Sequence, residues 1–234
     1  MKKRILNKVG IIIFSRFSSK RLPGKAMQMI LEKPLLGHVI SRAKKINKNI
    51  KVVVATSTLG SDDIIEKYAL EQKIAVFRGD LENVVLRSVN CCEKFGFEDF
   101  VRVCGDRPLF PPELCRDLID IHKSGKFDLT TNAQLKTFPY GMTAEVINTK
   151  SLKKLMKLVK LKSDKEHLTS FYYKNPNLFS IKNISCKTKN ISKLNYAVDY
   201  KKDIRRISRL LRKLKKPYEL VSMQDIVSKT IEMN

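Results

Sequence analysis

The chain has 234 residues, of which 43% are hydrophobic, which is enough for one sizeable domain with a packed core. Its 47 lysines and arginines outnumber 23 acidic residues and give a net charge of +24, which favours anionic partners. The apolar run VGIIIF at 9–14 is too short for a membrane span or a signal-peptide core, and the five cysteines form no CxxC pair. We therefore expect a cytoplasmic protein without a membrane span, a zinc site or a disulfide framework.

Strands and helices alternate through the first 125 residues. Short continuous apolar runs are typical of strands buried on both faces, and they alternate with segments of helical periodicity. We expect βαβ units and a mostly parallel sheet with helices on both faces, so that ligands bind beyond the carboxyl ends of the strands. Ser61, before two acids, is the predicted cap of the second helix. The predicted strands are 9–14, 51–57, 74–77 and 99–104, and the helices are 34–46, 61–73, 81–95 and 111–125.

The second half of the sequence is less regular. No linker or repeat divides it, so we predict a single domain over 1–234, in which the part around 127–199 serves acceptor binding or dimerisation. A turn is expected at FPYG, 138–141. The predicted strands here are 127–132, 142–148, 178–184 and 193–199, and the helices are 149–161, 163–175, the basic 200–216 and a short terminal one.

The segment SRFSSKRLPGK, 15–25, leaves the first predicted strand at the edge where ligands bind. Guanidinium groups, lysine and hydroxyls beside a glycine suit a polyphosphate. The segment is not a Walker P-loop, because Ala26 follows Lys25 where that motif needs a hydroxyl. The alternative is a solvated basic loop. The candidate phosphate ligands are Ser15, Arg16, Ser18, Ser19, Lys20, Arg21, Gly24 and Lys25.

A second signal, CGDRPLF at 104–110, follows the fourth predicted strand. Asp106 at that position faces the basic loop and suits a magnesium ion. A turn or helix-capping aspartate is the alternative. Taken together, the two segments predict a site for a nucleotide and a metal ion.

The chain resembles the cytidylyltransferase family, which includes SpsF-type spore-coat polysaccharide proteins and, more distantly, CMP-Kdo and CMP-sialic acid synthetases. The resemblance runs in order from residue 9 to about 205. It implies a Rossmann-like nucleotide-diphosphosugar transferase fold and transfer of CMP from CTP to a small acidic or sugar acceptor, with Mg²⁺ and release of pyrophosphate. A homodimer and a role in surface glycan synthesis are implied as well. The matching segments are SRFSSKRLPGKAMQMI, KPLLGHVISRAKK, VVVATS, VFRGDLENVVLR, VRVCGDRPLF, FPYGMTAEVIN, KEHLTSF and NYAVDYKKD.

The resemblance also implies roles for individual residues. Arg16, Lys25 and Asp106 would be catalytic, and Asp106 and Asp199 would bind the metal. No general base is evident; His167 is a candidate, but it equally suits packing or acceptor binding. On the nucleotide side are Ser15, Arg16, Ser18, Arg21, Gly24, Lys25, Thr56, Ser57, Arg78, Gly79 and Gly105. On the acceptor side are Asn132, Tyr140, Glu145, Glu166 and His167.

Two segments depart from the family pattern. The usual PDGLDVEV reads PYGMTAEV here, so that two acids on the acceptor side are lost, the first of them to Tyr140, while Glu145 stays. DYKKD lacks the usual Thr-Pro after its first aspartate. These departures make the acceptor the least specified part of the resemblance, whereas the two metal carboxylates are retained.

Three other functions remain open from the sequence. The basic helix 200–216 has an apolar stripe and a cationic face that suit nucleic acid or an anionic membrane, although such helices usually pack their stripe on a core. A glycosyltransferase of similar fold would need a DxD metal motif, for which SDDI at 61–64 is a poor substitute because it opens a helix. The altered acceptor segment also allows a non-catalytic relative, which retention of Arg16, Lys25, Asp106 and Asp199 disfavours.

Overall fold

The computed structural model describes residues 8–188, 190–214 and 216–233; the remaining residues of the predicted domain, 1–7, 189, 215 and 234, lie outside the described residues. The strands are β1 Val9–Phe14, β2 Met29–Ile30, β3 Lys33–Pro34, β4 Lys51–Ser57, β5 Ala75–Gly79, β6 Asp99–Cys104, β7 Leu129–Thr131, β8 Glu145–Asn148 and β9 Ile181–Asn183. The α-helices are α1 Leu35–Ala43, α2 Asp63–Glu71, α3 Val84–Phe95, α4 Pro112–Gly125, α5 Thr149–Leu158, α6 Lys162–Glu166, α7 Ser170–Lys174, α8 Lys201–Lys213 and α9 Met223–Glu232.

A seven-stranded sheet runs in the order β5-β4-β1-β6-β8-β7-β9. The first four of these strands are parallel, β8 is antiparallel to both of its neighbours, and β9 is parallel to β7. The predicted mixed, mostly parallel α/β sheet is therefore confirmed. Because β1, β4, β5 and β6 all end at the same edge, the loops that follow them lie together there.

Strand β1 shows why helices cover both faces of the sheet. Ile11 and Ile13 are buried in the cluster that contains Val39 of α1, whereas Ile12 is buried in the cluster that contains Val85 of α3. Successive side chains of a strand lie on opposite faces, so a continuous apolar run requires an apolar layer on each side. The run at 9–14 is predicted by sequence alone and is confirmed to the residue.

Several expected elements differ in the structure. The helix expected over 163–175 is divided into α6 and α7, because His167 leaves the helical region with φ −97° and ψ 77°. The segment 193–199 is not a strand; it forms an isolated bridge between Asn195 and Tyr140. Ser61 does not cap α2, because a 3₁₀ turn at Gly60–Asp62 precedes that helix.

Helix α8 uses its apolar stripe for packing. Ile207, Leu210 and Leu211 are buried in a third cluster with Ile30 of β2 and with Leu35. Its lysines and arginines lie on the other side of the helix, at half-buried or exposed positions. This is the ordinary arrangement of an amphipathic surface helix. None of the helices in the described part of the chain is long and apolar enough to cross a membrane.

Candidate active site

A cleft of about 520 Å³ lies where the loops after β1 and β6 meet. Basic side chains dominate its lining, and its acidic members are Asp106 and Glu166. The cleft is thus suited to a highly charged anion. Its lining residues are Phe14, Ser15, Arg16, Ser18, Ser19, Lys20, Arg21, Lys25, Ala26, Val84, Arg87, Arg102, Cys104, Gly105, Asp106, Arg107, Tyr140, Glu166 and His167.

The basic loop after β1 is held by backbone contacts. The Phe17 amide donates to Asp62 Oδ1 at 2.7 Å, and the Gly24 amide donates to the Phe17 carbonyl at 3.1 Å. Gly24 has φ 64°, and a Cβ there would lie 2.9 Å from the Phe17 ring. Glycine is needed at this position because it adopts the left-handed conformation without strain and leaves room for the ring. The loop therefore folds back on itself and presents its cations to the cleft.

The loops after β1 and β6 touch through their backbones. The Gly105 amide donates to the Phe14 carbonyl at 2.8 Å. A Cβ on Gly105 would lie 2.9 Å from that same oxygen, so a larger residue would push the loops apart. Gly105 thus sets the distance between the basic loop and Asp106.

Lys25, Asp106 and Asp199 form a charged cluster at the cleft, and the first two of them line it. Lys25 Nζ donates to Asp106 Oδ2 at 3.0 Å and to Asp199 Oδ1 at 3.2 Å, while Arg21 also donates to Asp199. Burial by itself raises the pKa of Asp199, but the contacts with Arg21 and Lys25 reverse this and leave the pKa below its ordinary value. Burial lowers the pKa of Lys25, but the two carboxylates outweigh this, so the pKa lies above its ordinary value. Lys25 and Asp199 are therefore charged at neutral pH.

Asp199 reaches this cluster through an irregular segment. The Val198 amide donates to the Asp106 carbonyl at 2.9 Å, and the Tyr196 amide donates to the Tyr140 carbonyl at 2.7 Å. These bonds bring a residue near the end of the chain beside the loop after β6. A strand prediction for 193–199 gives no indication of this contact, since it depends on the loop partners.

The two carboxylates fit a magnesium site. Their oxygens converge on one cation, the Lys25 ammonium, beside a cleft whose lining is rich in basic side chains. Proteins usually hold Mg²⁺ with one or two carboxylates, and substrate phosphates and water supply the other ligands. Among the described residues, no group of three or more His, Cys, Asp and Glu side chains is placed to hold a metal. Asp106 and Asp199 are accordingly a pair that suits a metal bound together with a nucleotide.

Sequence reasoning missed three arginines in the cleft, Arg87 from α3, Arg102 from β6 and Arg107 from the loop after β6. Arg102 donates to Glu145, and Arg107 donates to the Thr143 carbonyl at 2.9 Å. The sequence does contain an indication that Arg102 has a functional role, because it is a charged residue within the otherwise apolar run VRVC of a buried strand. Arg107 directly follows the candidate metal ligand Asp106.

Some of the residues predicted to bind the acceptor line the cleft, and others are buried behind its lining. Tyr140, Glu166 and His167 line the cleft, and Arg16 donates to Glu166 at 2.8 Å. Glu145 lies beneath the cleft, 3% exposed, and accepts from Arg102 and, at 2.6 Å, from Tyr173 Oη. An acceptor would contact Arg102 before it reached Glu145.

Asn132, the other acceptor-side prediction, is also buried beneath the cleft. Its side chain donates to the Met142 carbonyl at 3.1 Å and accepts from the Ala144 amide at 2.8 Å. Asn132 thereby fixes the backbone of the segment that carries Thr143, the anchor of Arg107.

Four residues expected near the nucleoside lie outside the cleft lining. Thr56 and Ser57 are fully buried, and their hydroxyls donate to Asp62 at 2.7 and 2.6 Å. Arg78 pairs with two acids of α2, and Gly79 is the last residue of β5, in register with Ser57. Thr56 and Ser57 therefore support the basic loop through Asp62, which also accepts from the Phe17 amide, whereas Arg78 is engaged by α2.

Comparison with known proteins agrees with this geometry. The sequence profile described as Cytidylyltransferase matches residues 10–232. The Bacillus subtilis spore coat polysaccharide biosynthesis protein SpsF is 28% identical over 214 residues, which are 89% of this chain and 88% of that protein. The Yersinia enterocolitica 3-deoxy-manno-octulosonate cytidylyltransferase is 31% identical over 148 residues, 62% of this chain and 56% of that protein.

A solved cytidylyltransferase structure from Leptospira borgpetersenii superposes with a TM-score of 0.91 and 25% identity. The superposition covers 97% of this chain and 94% of that one, so the agreement extends over the whole sheet and its helices. Because the family profile matches nearly the full length and includes both loops of the cleft, the chain belongs to the cytidylyltransferase family.

Proposed function

We propose that this protein transfers CMP from CTP to a sugar acid or related small acceptor and releases pyrophosphate, in the synthesis of a surface glycan. The observation that carries the proposal is the meeting of Asp106 and Asp199 on Lys25, at the base of a basic loop. Family membership supports the transfer of a cytidylyl group. The names of two relatives, a spore coat polysaccharide protein and a 3-deoxy-manno-octulosonate cytidylyltransferase, support the acceptor class and the role.

The triphosphate of CTP would bind to the basic loop. Arg16, Lys20, Arg21 and Lys25 line the cleft on that side, and the serine hydroxyls lie among them. Arginine pairs with phosphate oxygens through two parallel hydrogen bonds, and lysine adds a point charge. In the free protein Arg16 and Arg21 are paired with Glu166 and with Asp199. These partners hold the arginines in place until a more highly charged ligand competes for them.

The metal proposed for this site is Mg²⁺, held by Asp106 and Asp199. When bound, it would neutralise the charge of the phosphate oxygens during transfer. Lys25 occupies the space between the same two carboxylates in the free protein. Lys25 also lines the cleft beside the basic loop, where its ammonium would stabilise the charge that develops on departing pyrophosphate.

The reaction needs positioning more than covalent participation of the protein. An acceptor oxygen bonds to the α-phosphorus while the bond between that phosphorus and the pyrophosphate oxygen breaks. Pyrophosphate leaves, and the proton of the acceptor hydroxyl passes to solvent. Holding the two substrates in line in one cleft accounts for much of the acceleration. Tyr140 and His167, which line the cleft, are the proposed contacts for the acceptor. The homodimer and the cytoplasmic location remain predictions.

The first test is release of pyrophosphate with Mg²⁺ and each of the four nucleoside triphosphates, against a panel of sugar acids and other small acceptors. We expect release with CTP and one class of acceptor, and none without a divalent cation. Absence of both release and CTP binding would refute the proposal. A preference for another nucleotide would refute the cytidylyl step while leaving nucleotidyl transfer in place.

A further inference from the structure

Three arginines of the cleft lining, Arg87, Arg102 and Arg107, carry a buried Nε donor that no described residue accepts, and the last two come from β6 and the loop after it. Arg102 and Arg107 both line the cleft, with side chains 19% and 14% exposed. The Nε group of each is buried and has no hydrogen-bond partner in the part of the chain that the structure describes. A buried donor without a partner costs free energy, so such groups are normally satisfied by protein, water or a ligand.

Both side chains are fixed by the same kind of contact. Arg102 donates through Nη1 to Glu145, which Tyr173 holds from its other oxygen. Arg107 donates through Nη1 to the carbonyl and hydroxyl of Thr143, and its guanidinium lies 5.8 Å from the centre of the Tyr140 ring. In each case Nη1 is engaged, which leaves the edge formed by Nε and Nη2. That edge is the one that binds a carboxylate or phosphate with two parallel hydrogen bonds.

The two arginines differ in how far a carboxylate compensates their charge, and Arg107 is the less compensated of the two. Glu145, the carboxylate paired with Arg102, is 3% exposed, and both burial and pairing act on it. Burial raises the pKa of Glu145, but Arg102 and then Tyr173 reverse this, so the carboxylate stays charged. Arg107 has a weaker partner, since its Nε lies 4.0 Å from Asp106 Oδ1. If Asp106 is committed to a metal, Arg107 is left without a carboxylate partner.

We propose that Arg102 and Arg107 form a subsite for an anionic group of the acceptor, a carboxylate or a phosphate, separate from the loop that binds the triphosphate. The two arginines come from β6 and the loop after it, whereas the loop after β1 already supplies four cations for the nucleotide. In the segment PYGMTAEV, 139–146, which lies on the same side, Glu145 is the one carboxylate, and it is already paired with Arg102. The inference rests on the proposed function and specifies its acceptor.

The test compares acceptors that differ in charge. With CTP and Mg²⁺, the probes are 3-deoxy-manno-octulosonate for a carboxylate, a hexose 6-phosphate for a phosphate, and the free hexose, which has the same anomeric hydroxyl, as the neutral control. We expect one anionic probe to support pyrophosphate release and the neutral sugar to fail. Equal turnover of the neutral sugar would overturn the subsite. Binding of each probe is measured as well by calorimetry in the presence of α,β-methylene CTP, and lack of binding by both anions would overturn it too.

The variant Arg107→Gln tests whether Arg107 binds the anionic group of the acceptor. We expect the KM for the active anionic probe to rise about 10- to 100-fold, as for loss of a charge-assisted hydrogen bond, with the KM for CTP within about threefold of wild type. Arg107→Lys keeps the positive charge but cannot donate two parallel hydrogen bonds, so its acceptor KM should lie between those of wild type and Arg107→Gln. An unchanged KM for the acceptor in Arg107→Gln would refute the role of this residue.

Arg102 needs a paired variant, because its removal alone leaves Glu145 buried and charged. Arg102→Gln with Glu145→Gln replaces the ion pair by two amides, and we expect the same selective rise in the acceptor KM. The control is Arg116→Gln, at an exposed arginine of α4 that donates to the Lys45 carbonyl at 2.8 Å, far from the cleft lining. Failure of CTP to bind to wild type would refute the proposed function, whereas normal CTP binding without any effect of these variants would refute only the subsite.

Discussion

Strand β6 carries an aspartate near each end, and the two have opposite environments. Asp99, its first residue, is 4% exposed and accepts from Asn148 at 2.8 Å, from Lys123 and, at 3.3 Å, from His122. Asp106, two residues beyond the strand, has a side chain 27% exposed and one close partner, Lys25. The first aspartate borders a cleft of about 360 Å³ at the amino end of the strand, and the second borders the candidate active site.

The difference separates an aspartate that stabilises the fold from one that is available to a ligand. Every oxygen of Asp99 is engaged by donors from α4 and from the end of β8, which ties three elements together. Burial raises the pKa of Asp99, but hydrogen bonds from His122, Lys123 and Asn148 reverse this and lower the pKa to about 2. Asp106 retains an oxygen whose nearest cation is 4.0 Å away. The candidate site thus differs from the buried end of the strand in having a carboxylate oxygen that the protein leaves unbonded in the described residues.

The largest expected effect is at Asp106. Replacement by Asn keeps the shape and removes the charge, so we expect pyrophosphate release to fall by about 10²–10³ or more. The free energy of unfolding should change little, because the side chain makes one close ion pair that is partly exposed to water. Steady-state assays and urea denaturation check the two parts. Near-wild-type turnover would remove Asp106 from the mechanism.

The second largest loss of turnover is expected from replacement of Lys25. Lys25→Ala removes the cation that holds Asp106 and Asp199 together, and we expect a loss of about 10²–10³ in rate. Arg116→Gln serves as the matched control for loss of one positive charge outside the cleft. Retention of activity in Lys25→Ala would show that the other basic residues of the loop suffice.

Replacement of Asp99 should lower the free energy of unfolding and leave turnover nearly unchanged, the reverse of the result expected for Asp106. Asp99→Asn leaves Lys123 and His122 without their carboxylate, and we expect a loss of about 2–3 kcal/mol in the free energy of unfolding. The turnover of the folded fraction should stay near that of wild type. Urea denaturation and activity below the transition measure the two effects. A stable variant with a large loss of turnover would break the distinction between the two ends of the strand.

Acid should remove the contribution of Asp99. Its pKa is lowered from 3.8 to about 2 in the folded protein, so the carboxylate stabilises the fold above pH 4 and loses this contribution as pH falls towards 2. The shift corresponds to roughly 2 kcal/mol. Urea denaturation of wild type and Asp99→Asn between pH 2 and 6 should show curves that converge at the acid end. A constant difference over that range would contradict the assignment.

The smallest change in the free energy of unfolding is expected at Glu98, which directly precedes Asp99 in the sequence. This side chain is 54% exposed and pairs with Lys8, whose side chain is 57% exposed. Exposed ion pairs contribute little, so Glu98→Gln should change the free energy of unfolding by less than about 1 kcal/mol. The same denaturation series measures it beside Asp99→Asn. A loss as large as that of Asp99→Asn would mean that burial is not what separates the two neighbours.

Local pattern was sufficient for much of the fold. The apolar runs of β1, β4 and β6 predicted their bounds to the residue, because a strand buried on both faces needs a continuous apolar sequence. The basic loop after β1 and Asp106 after β6 were predicted from position alone, since parallel strands deliver their loops to one edge. Asp199 came from family resemblance, and only the structure shows its bonds to Lys25 and Arg21.

The remaining features depend on contacts between distant segments. The backbone at 196–199 is ordered by Tyr140 and Asp106, which no local periodicity reveals. Arg102 and Arg107 enter the cleft because Glu145 and Thr143 hold them from another part of the sheet. The sequence by itself therefore determined the strands, the edge and the basic loop through short-range patterning. The tertiary structure decided which charges meet, because pairing across the sheet depends on positions far apart in the chain.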